Sequence, residues 1–271
     1  MMKKHFITYA DRNFANARQR IVREAENTKE FDIVKCYGPD DVSEELKAAS
    51  IFHKARGGGY WSWKPDIIVS ELSKMAYGDI LVYVDSGCEV VAGREWKRYW
   101  KLLQDRDLIA QRIYQRTDVW SRLSIIREFS DNPKGWTKKC QFMATVVFAK
   151  KTLQSEAFFS QWREYMIKRP DLVLDVDFLD RSMEYSGFIE NRHDQSVFSA
   201  LIYRSMKSES VRFVADVWEH VENQSPFGSQ VIRAMRWNSS SPIPIRRRIR
   251  EMVLRVCKDL LLRPIYKIKD L

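Results

Sequence analysis

The 271-residue sequence predicts an α/β fold: one domain built on a Rossmann-like mixed central sheet flanked by helices, with a basic amphipathic helix at its C-terminal end. Three observations lead there. A strand-helix-strand pattern opens the chain, an apolar run at 80–84 ends on Asp85, and a second apolar run crosses 141–149. Alternating strand and helix patterns of this kind assemble as a sheet covered on both faces.

The first strand spans Lys4 to Asp11, with Phe6, Ile7 and Tyr9 apolar and Asp11 at its exit. Asn13 to Lys29 carries Phe14, Ala17, Ile21, Val22 and Ala25 at helical spacing, and Phe31 to Tyr37 gives the second strand. Gly38-Pro39-Asp40-Asp41 marks a turn, and Val42 to Phe52 reads as a helix leading to Gly57-Gly58-Gly59.

Three glycines let the backbone take positive φ and lie close against a ligand. Tyr60, Trp61 and Trp63 follow at once, flat amphipathic rings suited to stacking on a base or sugar, and Lys64 adds a cation. Arg56, just ahead, can grip a diphosphate bidentately or cap the preceding helix. Pro65 and Asp66 suit the first turn of a helix through Ile67, Ile68, Leu72 and Met75, which Gly78 ends. Ile80 to Val84 is near-continuously apolar, as in a strand buried on both faces, so Asp85 stands at its carboxyl end, where open α/β sheets place ligands. Ser86 and Gly87 form the turn that exposes it, although Asp-Ser-Gly is also ordinary turn chemistry.

Arg94 to Gln104 reads as a helix, Leu108 to Ile113 as a strand, and Tyr114 to Lys139 as an irregular, acceptor-facing insertion. Gln141 to Ala149 is a second hydrophobic strand, followed by an amphipathic helix from Thr152 to Lys168. Glu190-Asn191-Arg192-His193-Asp194-Gln195-Ser196 opens an apolar helix, in whose first turn Asp194 is stabilised by free N–H groups. Val211 to Val217 is a late strand. Domain boundaries fall at 1–237 for the catalytic unit, 238–245 for a linker (NSSSPIP lies within it) and 246–271 for the basic helix.

Composition narrows the function. With 45% hydrophobic and 13% aromatic residues the chain can bury a core, which excludes wholesale disorder. Cys36, Cys88, Cys140 and Cys257 form no Cys-x-x-Cys pair, against a zinc ribbon or thioredoxin-like site and in keeping with reduced thiols. Residues 1–9 lack a long apolar stretch, and no run of about 18 apolar residues exists, so the expectation is a cytoplasmic protein that does not span the membrane. Of the net charge of +10, residues 246–271 carry nine basic and three acidic side chains, +6, which leaves +4 for the rest. A surplus held in a tail argues against a nucleic-acid-binding face and suits an anionic membrane at the inner face of the cell envelope, or docking on the protein's own domain. A dinucleotide-binding oxidoreductase is disfavoured because no glycine follows the first strand at Tyr9-Ala10-Asp11.

The order of glycine loop, Tyr60-Trp61-Ser62-Trp63-Lys64-Pro65, buried strand and Tyr83-Val84-Asp85-Ser86-Gly87 resembles GT-A-fold, nucleotide-sugar-dependent glycosyltransferases, in particular bacterial enzymes of capsule and O-antigen assembly with YWxWKP and YxDxG segments. The resemblance covers about Lys4 to Arg204. It implies transfer of a hexose, galactose or glucose, from a UDP-type donor to a glycan or lipid-linked glycan. It further implies base and ribose contacts from Tyr9 and Asp11, and donor contacts from Arg56, Gly59, Tyr60, Trp63, Lys64, Asp85, Ser86, Gly87 and Gln141. His193-Asp194-Gln195 matches the element that reaches the acceptor. An inverting transfer needs a base there, Asp194 first and Glu190 second, with His193 as base or diphosphate ligand. In the resembled enzymes an Asp-x-Asp pair holds Mn²⁺ or Mg²⁺. Here Gly87 replaces the second carboxylate, leaving Asp85, with Glu89 or a distant residue such as His220, to complete the shell.

Overall fold

The computed structural model describes residues 2–217 and 230–262. Its main sheet runs in the order β2 (Ile33–Tyr37), β1 (Lys4–Tyr9), β3 (Ile80–Val84), β7 (Val146–Lys150), β5 (Leu108–Arg116) and β6 (Cys140–Phe142), with β8 (Phe213–Val217) also paired to β5. β1 is parallel to both β2 and β3, whereas β7 is antiparallel to β3, so the sheet is mixed as the sequence predicts. A second, two-stranded sheet joins β4 (Glu89–Val90) to β9 (Ile232–Arg233).

Period-two alternation explains why the central strands read as continuous apolar runs. Ile7, Leu81, Tyr83 and Val147 face one core with Ile67, Ile68, Phe159 and Val197. Phe6, Val82, Val84 and Phe148 face the other with Ile21, Ala25, Trp96 and Tyr99. The helix Ala15–Thr28 therefore covers one face, and the helices Trp63–Leu72, Leu153–Lys168 and Asp194–Ser208 the opposite one. The connection from β1 to β2 covers one face and that from β2 to β3 the other, with β2 and β3 on either side of β1, which opens a crevice at the carboxyl ends of these strands.

Three expectations need correction. The apolar run 141–149 is not one strand: it is interrupted at residues 143–145, between β6, which pairs with β5, and β7, which lies between β5 and β3. Thr145 O accepts from Asp85 N at 2.9 Å, so the break is held against the end of β3. Val42 to Phe52 forms a short helix, Glu44–Ala48, and a 3₁₀ turn, Ser50–His53, because Ala49 is extended between them. β5 continues to Arg116, and the insertion behind it folds into short helices Thr117–Trp120, Leu123–Phe129 and Pro133–Trp136. Separately, Arg20 Nε donates to Ser239 O at 3.2 Å and Arg23 Nη2 to Ser240 O at 2.9 Å, contacts between the Ala15–Thr28 helix and the 238–245 stretch.

The C-terminal helix spans Ile245–Leu262, and Ile245, Ile249, Val253 and Leu254 are exposed on it. Among the described residues no helix is long and apolar enough to cross a membrane.

Candidate active site

A cleft of about 970 Å³ opens at the carboxyl ends of β1 and β3. Its floor begins with the glycine segment. Gly57, Gly58, Gly59, Tyr60 and Trp61 all have positive φ, from 53° to 95°, so the chain makes one left-handed turn. L-residues resist this conformation by about 1–2 kcal/mol each, which is why the first three positions are glycine. Gly57 and Gly58 line the cleft, whereas Gly59 does not: a Cβ there would lie 2.8 Å from Phe52 Cα. The turn aims Trp61 into the cleft and sends Tyr60 behind it, where its hydroxyl donates to Asp175 at 2.6 Å. Trp63 stacks on Tyr9 with ring centroids 3.8 Å apart and donates its Nε1 proton to Gly57 O at 3.0 Å. Tyr9 and Trp63 thus form one flat wall. Asp11 lines it too, its carboxylate accepting from Asn13 N at 2.9 Å.

Lys64 is the centre of the site. The helix Trp63–Leu72 is buried almost all round, so its polar side chains need partners inside the protein. Lys64 Nζ reaches Asp194 Oδ2 at 2.6 Å and Asp85 Oδ1 at 3.4 Å. Asp194 begins its helix yet makes no cap bond, its side chain going to Lys64 instead. Asp85 also accepts from the Tyr83 hydroxyl. Burial opposes the charge on Lys64, but Asp194 and Asp85 outweigh it and hold its pKa above the ordinary lysine value. Burial pushes Asp194 above the usual carboxylate range, and Lys64 opposes this only in part.

His193 precedes that helix at φ 51°, a strained conformation for a non-glycine residue. Its Nδ1 lies 2.7 Å from Val173 O, and a carbonyl can only accept, so Nδ1 carries the proton. Burial, reinforced by Arg56, pushes the imidazole pKa down. The neutral ring therefore keeps a lone pair on Nε2, which is buried and makes no hydrogen bond. Trp61 stacks on the ring at 5.5 Å.

Several expected residues are elsewhere. Arg56 borders the cleft but is bound to Asp175 at 2.5 Å and Glu190 at 3.3 Å, so its guanidinium is already paired. Glu190 does not line the cleft and also pairs with Arg192 at 3.0 Å. Gln141 is wholly buried behind the wall, donating to Ser121 Oγ at 2.8 Å and accepting from Gln195 Nε2 at 2.6 Å. Gln195 and Gln115 line the cleft in its place, joined at 2.8 Å. Ser86 and Gly87 line it as expected. His220 lies outside the described residues.

Sequence reasoning also misses Asp175, Arg192, Arg236 and Arg247. The last three line the cleft. Only the Arg192 position adjoins a motif; the others are brought in by tertiary contacts. The strand pair β4–β9 carries residues 234–238 to the end of β3, where Trp237 N donates to Gly87 O at 2.9 Å.

The described residues do not fit a bound divalent cation. Asp85 is engaged by Tyr83 and Lys64. Gly87 has no side chain, and a Cβ there would lie 3.3 Å from Arg236 Cα. Glu89 is 1% exposed and is held by Arg233 at 2.9 Å and by Arg248. No group of three His, Cys, Asp or Glu side chains suited to a metal occurs among the described residues.

No protein-family profile matches the chain, and no curated protein does. It is similar to several solved structures. The galactosyltransferase LgtC, in complex with donor and acceptor sugar analogues, is 13% identical over 79% of this chain and 74% of its own, with a TM-score of 0.40. Mouse xyloside xylosyltransferase 1 is 13% identical over 89% and 99%, with a TM-score of 0.45. A glycosyltransferase involved in glycosylating the major capsid of PBCV-1 is 10% identical over 80% and 83%, with a TM-score of 0.40.

Proposed function

We propose that the protein is a GT-A-type glycosyltransferase that moves a hexose from a nucleoside diphosphate donor, of the UDP-hexose kind, to a hydroxyl of a glycan or lipid-linked glycan. One observation carries the reading: Asp85 at the end of β3 and Asp194 at the start of its helix flank the same buried Lys64, in one cleft with the stacked Tyr9 and Trp63.

The aromatic wall suits the base, with Asp11 beside it for the ribose. In an inverting transfer the acceptor oxygen bonds to the anomeric carbon. The bond to the diphosphate oxygen breaks with its electron pair, and the hydroxyl proton passes to Asp194. A carboxylate whose pKa is lifted by burial is the better base for this step. Neutral His193, its Nε2 buried 3.8 Å from Asp175 Oδ1, holds the cleft wall beside Asp194. Gln115 and Gln195 supply amides for sugar hydroxyls.

The exposed apolar stripe of Ile245, Ile249 and Val253, with Arg246 and Arg250 on the same helix, suits contact with the anionic inner face of a membrane, as expected of surface-polysaccharide synthesis on lipid-linked acceptors.

The test is a panel of sugar nucleotides assayed for release of the free nucleotide, with NAD and single-stranded DNA titrated in parallel. Release from one donor, abolished in Asp85→Asn with folding intact, supports the proposal. Absence of any sugar-nucleotide turnover or binding, with tight binding of NAD or of DNA with a steep salt dependence, refutes it.

A further inference from the structure

We infer that this cleft neutralises the diphosphate of its donor with arginines, Arg236 foremost and Arg192 with it, in place of a divalent cation. The inference rests on the sugar-transfer reading above and adds the chemistry by which the leaving group is held.

The first ground is what occupies the position of the missing carboxylate. Gly87 leaves no side chain there, and the chain fills the space with the backbone of Arg236, which packs within 3.3 Å of where a Cβ would stand. Trp237 N donates to Gly87 O at 2.9 Å, so this approach is hydrogen-bonded and specific. Arg236 takes φ 49° to make it, a conformation that costs a non-glycine residue energy. The Arg236 residue lines the same cleft as Asp85 and Lys64.

The second ground is charge without a partner. Arg236 is exposed, and among the described residues its guanidinium makes no hydrogen bond or ion pair. Arg192 lies over the Trp120 ring at 4.2 Å; its Nη1 pairs with Glu190 at 3.0 Å, and its Nε is buried with no acceptor. Burial lowers the pKa of Arg192; Glu190 opposes this, while Arg236 and Arg56 reinforce it. Arg56 and Arg192 thus share the Glu190 carboxylate, while Arg236 has no anion of its own among the described residues. Lys64 cannot serve, since it is committed to two carboxylates. Guanidinium groups stay charged at all working pH values and match phosphate oxygens in pairs, which makes them competent to hold a leaving diphosphate.

The experiment is calorimetric titration of the full chain with UDP, GDP, ADP and dTDP, each in excess EDTA and again with Mn²⁺. The nucleotide bound best is then titrated into Arg236→Gln, Arg236→Lys and Arg192→Gln, with thermal melts as the folding control. The expected result is equal affinity in EDTA and Mn²⁺, a loss of about tenfold or more in Arg236→Gln, a smaller loss in Arg192→Gln, and partial recovery in Arg236→Lys. Binding that vanishes in EDTA and returns with Mn²⁺ overturns the arginine assignment and leaves the transferase reading standing. Undiminished binding in Arg236→Gln also overturns it. If none of the four nucleotides binds under either condition, the parent reading fails as well.

Discussion

Replacing Lys64 by Met tests the centre of the site, because it removes one charge and leaves two carboxylates facing a buried space. Lys64 is 3% exposed, with Asp194 Oδ2 at 2.6 Å and Asp85 Oδ1 at 3.4 Å. At an effective dielectric of about 20, those separations correspond to gross attractions of about 6 and about 5 kcal/mol, most of which offsets desolvation. Breaking such a buried pair from one side costs about 3–5 kcal/mol, since the remaining charge is stranded. Urea denaturation should show that loss at neutral pH. The pH dependence is the sharper readout. Burial already raises Asp194, and removing Lys64 removes what opposed it. A carboxylate raised in the folded state binds its proton before the unfolded chain does, so stability grows as pH falls toward the unfolded value near 4. The deficit of Lys64→Met should therefore shrink by up to about 1.4 kcal/mol per pH unit as the pH is lowered through the raised Asp194 value toward the unfolded one. The double variant Lys64→Met/Asp194→Asn should recover roughly half of it. A loss under about 1 kcal/mol with no pH dependence would refute the buried triad.

Three further outcomes follow from the same coordinates. Gly59→Ala must hold φ +95° with its Cβ 2.8 Å from Phe52 Cα, so it should cost about 2–6 kcal/mol, whereas Gly78→Ala, at φ +94° with nothing within 4 Å, should cost only the strain of about 1–3; urea midpoints compare the two. Burial opposes the charge on Glu71, but hydrogen bonds from His5, Tyr37 and Lys35 outweigh it and lower its pKa from 4.5 to about 2. That stability, about 3 kcal/mol, is complete above the unfolded value and lost as pH falls from about 4.5 through about 2. Acid titration of Glu71→Gln against the parent should show the difference vanish in that window. Gln141→Leu strands the Ser121 hydroxyl and removes the bonds that Gln141 makes to Ser196 Oγ and Gln195 Nε2, and should lower stability by about 1–3 kcal/mol in urea, a loss that a purely ligand-facing glutamine would not give.

The central strands and their order of burial are legible in the sequence because both faces of β1 and β3 demand apolar side chains, which leaves unbroken runs at Phe6–Ile7 and Ile80–Val84. The run through 141–149 carries the same signal, yet the chain breaks at 143–145, between β6 paired with β5 and β7 set between β5 and β3, and a strand's apolar content says nothing about which neighbours it pairs with. Lys64, Asp85 and Asp194 stand out as candidates by type and position, but their contact does not. Asp194 reads equally well as a helix cap until its side chain is seen to reach Lys64. The partners of Arg56 and Gln141 are hidden for the same reason: Asp175 holds Arg56 at the cleft border, Ser121 and Gln195 hold Gln141 in the interior, and none of these partners is near in sequence to the residue it holds.

By itself, then, the sequence determined that a sheet covered on both faces would end in an acidic turn beside a glycine-aromatic-lysine segment, since hydrophobic period and glycine placement are local properties. Only the tertiary structure decided which charges meet. Asp175, Glu190, Arg192 and Arg236 are separated from Arg56 and Asp85 by 85 or more positions in the chain, and Coulomb forces act through space, where the folding of β9 onto β4 and of the Asp194 helix under the sheet sets the distances.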